Sequence, residues 1–76
     1  MKFIGPYYVD ADATGTAYYP PDYIDEVTIG AVCDGKAAPY RVDHNGVAIG
    51  WAKRSAFKKM LPGNPKVGDV ATVKHS

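Results

Sequence analysis

The side chains best equipped for recognition chemistry are tyrosines, and five of the six, Tyr7, Tyr8, Tyr18, Tyr19 and Tyr23, fall near the start of the chain. Aromatic rings stack on sugar rings or peptide planes and lose little entropy in doing so, because only two side-chain torsions must be fixed. Together they form a candidate ligand surface. Side chains alternate on an extended backbone, so Tyr7-Tyr8 and Tyr18-Tyr19 must each turn one ring outward. The other rings are needed as core in so small a protein. Arg54 is a sixth candidate contact, because Lys53-Arg54 and Lys58-Lys59 form a basic cap able to meet the phosphates of an anionic polymer such as a nucleic acid. Such lysines also serve simply as a solvated face.

Catalytic and metal chemistry finds less support. Asp10, Asp12 and Thr14 before Gly15 imitate the opening of a calcium loop, yet Pro21 stands where the loop would need a bidentate Glu. Asx-type turns account for the same residues. Cys33 and His44 lack a third group to orient the imidazole, so a buried, inert Cys33 and a solvent-facing His44 are expected. Asp25 and Glu26 point to opposite faces if both lie on a strand, and cannot then act as an acid-base pair. No catalytic residue, metal or cofactor is assigned.

The elements must fit into 76 residues, which hold one domain, residues 1–76. A chain this short buries only about 60% of its unfolded surface, so the core is thin. Cys33 is the single cysteine and excludes an internal disulfide. No apolar run reaches the roughly 18 residues of a membrane span, and no signal peptide is read at the start. A net charge of +1 argues against a dedicated nucleic-acid binder that relies on phosphate neutralisation. Charge is nevertheless divided: acids dominate up to Gly35 and bases after it, which suggests complementary faces or attraction between copies.

The clearest element is the hairpin within Pro39–Phe57. Asn45-Gly46 suits a two-residue type I′ turn, because both central positions need positive φ. An uninterrupted register then sets His44 opposite Val47, Val42 opposite Ile49 and Tyr40 opposite Trp51 on one apolar face. Met1–Ile4 reads as a strand that Tyr7–Val9 resumes as an edge, and residues 10–22 read as a long loop. Ile24–Cys33 is a second long strand with a bulge or bend at Gly30. Lys53–Met60 reads as one or two helical turns, and Lys66–Lys74 as the closing strand. Five short strands and one helical turn before the last describe an all-β, half-open barrel.

That order resembles the Src-homology-3-like barrel. Gly50-Trp51-Ala52-Lys53-Arg54-Ser55-Ala56-Phe57 resembles the Gly-Trp-Val signature of bacterial Src-homology-3-like cell-wall modules, and Ala37–Val42 resembles the His-Pro-Tyr-His-Leu segment that precedes it in modules attached to phage endolysins and N-acetylmuramoyl-L-alanine amidases. Phe3–Tyr8 resembles their opening strand in its phenylalanine, glycine and tyrosine. Lys53 and Ala56 stand where peptide-binding Src-homology-3 domains carry the Pro and Tyr of a polyproline groove, which argues against proline-rich ligands. Val67-Gly68-Asp69-Val70 lies at the end of this chain, whereas a similar segment opens the endolysin modules. The resemblance implies a non-catalytic binding module for Gram-positive peptidoglycan, glycan or stem-peptide bridge, acting at the cell wall or in a virion. The alternative is a phage virion or other structural subunit that assembles through complementary acidic and basic faces. Neither implies a membrane partner.

Overall fold

The opening segment is extended on both sides of Gly5-Pro6, and its second part lies at an edge of the sheet, as expected. β1 (Lys2–Phe3) and β2 (Tyr7–Tyr8) flank Gly5-Pro6, a cis peptide with Gly5 at φ 75°. The computed structural model describes residues 1–58 and 64–73. It adds β3 (Glu26–Val32), β4 (Tyr40–His44), β5 (Val47–Ala52), β6 (Phe57–Lys58) and β7 (Val70–Val73). All seven form one sheet, in the order β2-β5-β4-β3-β7-β1-β6, that curls into a half-barrel. The fold is almost all-β, as expected, but with seven strands rather than five.

The helical turn expected over Lys53–Met60 is a 3-10 turn at Arg54–Ala56, where the Ala56 N–H donates to the Lys53 carbonyl at 3.0 Å. Phe57 then straightens into β6 because it is drawn into the core opposite Phe3, with ring centroids 5.2 Å apart. Residues 59 and 60 lie outside the described residues. The closing strand also starts later than expected, at Val70, because Lys66–Asp69 forms a turn with Gly68 at φ 94°. β7 runs antiparallel to β3 and parallel to β1, so it closes its own chain's sheet.

The hairpin turn is as expected, with Asn45 at φ 52° and Gly46 at φ 80°. Its arms are not in the expected register. His44 faces Val47 and Asp43 faces Ala48, but a bulge then shifts the pairing to Val42 with Gly50, Arg41 with Trp51 and Tyr40 with Ala52. Ile49 is the extra residue. Because strand faces alternate, a one-residue slip moves every later side chain to the other face. Tyr40 and Val42 therefore point into the core against Ala52 and Gly50, and Trp51 points outward beside Arg41. The register change makes room for β2: a Cβ on Gly50 would lie 2.6 Å from both Tyr7 Cδ2 and the Tyr8 carbonyl oxygen.

A second bulge, the one expected at Gly30, separates Ile29 from Ala31 in β3. It is fastened to the Lys66–Asp69 turn by reciprocal bonds, Ile29 N–H to the Asp69 carbonyl and Gly68 N–H to the Ile29 carbonyl, each 2.9 Å. The core gathers Phe3, Ile24, Val27, Ile29 and Val42, all fully buried, with Tyr40 set edge-on to Phe57. Each such side chain contributes about 1.5–3 kcal/mol by leaving water. Cys33, expected to be buried, is half-buried at the end of β3.

Candidate functional site

The loop of residues 10–22 is shaped by its own first residue. Asp10 accepts hydrogen bonds from the Asp12 and Thr14 amides, at 3.1 and 3.2 Å, and from the Thr14 hydroxyl at 2.5 Å. These bonds, the Thr14 hydroxyl foremost, hold the Asp10 carboxyl below its usual pKa. The Asx-turn reading of this segment is therefore the one the structure supports. Ala38 N–H to the Ala11 carbonyl (2.8 Å) ties the loop to the β3–β4 connection, as does the exposed Lys36–Asp12 ion pair at 3.4 Å.

So anchored, the loop returns as an extended segment beside β2. Tyr7 and Tyr18 exchange backbone hydrogen bonds of 2.8 and 2.9 Å, and their rings stack with centroids 6.0 Å apart. Tyr7 is half-buried over Gly50 and reaches Phe3 at 6.3 Å, whereas Tyr18 stays 45% exposed. Burial raises the Tyr7 phenol above its ordinary pKa, and the nearby Tyr23 and Tyr18 hydroxyls add to the rise.

Tyr23, 76% exposed, sets its ring edge-on to His44 at 6.2 Å. Between them and the hairpin turn lies an open hollow of about 340 Å³, walled by Asp25, Glu26, Thr28 and Asn45. Two expectations change here. His44 is half-buried rather than free in solvent, and Asp25 and Glu26 line the same hollow because Asp25 precedes β3. Sequence periodicity could not find this pair, since alternation holds only inside a strand.

The other expected contacts are dispersed. Tyr19 is 67% exposed and lies against Gly5, where an added Cβ would come within 3.1 Å of its ring. Tyr8 is on the outer face of the sheet opposite Trp51, with Lys53 Nζ 5.5 Å from its ring centroid. Arg54 is exposed and donates to Asn64 Oδ1 at 3.4 Å. The candidate site, the tyrosine rim, thus comprises the stacked Tyr7-Tyr18 pair and the hollow that gathers Tyr23, His44 and two carboxylates. No family model, curated protein or solved structure matches this chain. Its own geometry carries the functional reading. Neighbouring rings offer flat apolar contact, the carboxylates offer negative charge, and the combination suits an extended ligand that bears amines.

Proposed function

We propose that this domain is a non-catalytic binding module that recognises the Gram-positive cell wall, with a peptide portion of the peptidoglycan lying across the tyrosine rim. The observation that carries the reading is the hollow that gathers Tyr23 and His44 with Asp25 and Glu26, and the stacked Tyr7-Tyr18 pair adds aromatic contact area. Rings give contact area to a peptide plane whatever its sequence, and the two carboxylates attract free amines on a stem peptide or its bridge. The half-barrel with a long first loop, a tight hairpin and a 3-10 turn supports assignment to the Src-homology-3-like barrels. The Gly50-Trp51 motif supports the same assignment.

Incubation with purified sacculi from several Gram-positive species tests the proposal. The domain is expected in the pellet at low and moderate salt, and Tyr18→Ala and Tyr23→Ala should each weaken retention by about 10-fold or more, as for central contact residues. Recovery only in the supernatant, with every species, refutes it. A second reading, assembly of copies as a structural subunit, is favoured by one observation. Among the described residues no ion pair neutralises Asp25, Glu26, Lys53 or Arg54, all exposed. Sedimentation that shows a monomer at every concentration and salt eliminates this second reading.

A further inference from the structure

We propose that the outer face of the sheet carries a second binding surface, on which Arg41, Trp51 and Tyr8 stack the bases of a single-stranded nucleic acid while Lys53 and Arg54 meet its phosphates. This surface is separate from the tyrosine rim and does not depend on the cell-wall reading. It follows from the bulge at Ile49, which removes Trp51 from the core face. Arg41 pairs with Trp51 across β4 and β5, and Trp51 pairs with Tyr8 across β5 and β2. Three planar groups therefore stand at one level on three adjacent strands. Directly paired residues have Cβ atoms about 4.5–5.5 Å apart, so the row spans roughly 10 Å.

The row is held at one end, where Arg41 is ion-paired with Asp43, and positively charged at the other. Arg41 donates from Nε to Asp43 Oδ1 at 3.0 Å, and from Nη2 to Asp43 Oδ2 at 3.2 Å and the Gly30 carbonyl at 3.3 Å. Gly30 permits this placement, since a Cβ there would collide with the Asp43 carboxylate and lie 2.6 Å from Arg41 Nη2. A fixed guanidinium plane stacks on a base much as an aromatic ring does. At the other end Lys53 lies over Tyr8, with exposed Arg54 next in the chain. Planar groups in series, with cations at one end, match a ligand that repeats planar rings along an anionic backbone. The net charge of +1 does not oppose this, because stacking supplies the contact and only two or three phosphates are met.

The test uses Trp51, the single tryptophan, as its own reporter. Short oligothymidylate should quench its fluorescence to saturation, and the duplex formed with oligoadenylate should quench it far less. In anisotropy titrations of labelled oligothymidylate, Trp51→Ala and Tyr8→Ala should each bind about 5- to 150-fold more weakly, the loss of one stacked base. Trp51→Phe should retain most of the affinity, and Tyr18→Ala on the rim should leave it unchanged. Raising salt from about 50 to 200 mM should weaken binding by about 7- to 20-fold, the response for two or three neutralised phosphates. Absence of quenching at millimolar oligonucleotide overturns the proposal. Equal binding of duplex, or quenching of Trp51 by a polyol-phosphate wall polymer in place of the oligonucleotide, overturns it too.

Discussion

Replacing Gly50 by alanine tests the packing that joins the hairpin to the tyrosine rim. The new methyl would sit 2.6 Å from Tyr7 Cδ2 and 2.6 Å from the Tyr8 carbonyl oxygen. The ring can rotate away, but the carbonyl belongs to a strand paired with β5 at Tyr7-Ala52 and Tyr8-Trp51 and cannot move alone. Overpacking of this kind costs about 1–3 kcal/mol, and contact with backbone puts Gly50→Ala near the upper end. For a domain of this size that corresponds to a fall in Tm of roughly 12–24 °C, at about 4–8 °C per kcal/mol. Urea unfolding followed by Trp51 fluorescence should show a lower midpoint with an unchanged slope. The penalty should shrink, without vanishing, in a Tyr7→Ala background, because only one of the two contacts is then removed. A Gly50→Ala variant that melts within a degree or two of the parent would refute the reasoning.

Three further outcomes are expected. Gly30→Ala meets only the ends of Arg41 and Asp43, which can swing outward, so it should cost about 1 kcal/mol or less while the Arg41 guanidinium signals in an NMR spectrum lose their dispersion. A loss as large as that of Gly50→Ala would contradict this. Phe3→Ala, which empties a fully buried site between Phe57 and Tyr7, should cost about 3–5 kcal/mol in chemical denaturation. Asp10 should titrate below the ordinary aspartate range in an NMR pH series. Since its folded pKa is depressed, its stabilisation is present above the unfolded carboxyl pKa and lost as pH falls through the folded one. Thr14→Ala should return Asp10 toward its ordinary range, and an unmoved titration would show that the hydroxyl bond is not the cause.

Local backbone chemistry was legible in the residues alone. Asn45-Gly46 tolerates two positive φ angles, Gly30 permits a bulge, Asp10 and Thr14 close an Asx turn, and the β-branched run in β3 forms a long strand. Each depends on neighbours a few positions away. The outward turn of one ring in the Tyr7-Tyr8 pair followed from alternation, and Tyr8 is the one on the outer face.

Only the tertiary structure decided where distant rings meet and which side of the sheet they occupy. The hairpin register could not be read past Asp43, because the extra residue at Ile49 answers to β2, a strand roughly 40 positions earlier whose Tyr7 needs the space above Gly50. That one insertion turned Trp51 from an apparent core residue into an outer-face ring beside Arg41 and Tyr8. The meeting of Asp25, Glu26, Tyr23 and His44 in one hollow likewise comes from packing β3 against the hairpin. Short-range patterning sets which residues alternate. Long-range packing sets where the alternation slips, and here the slip puts Trp51 on the outer face with Tyr8, across the sheet from Tyr7.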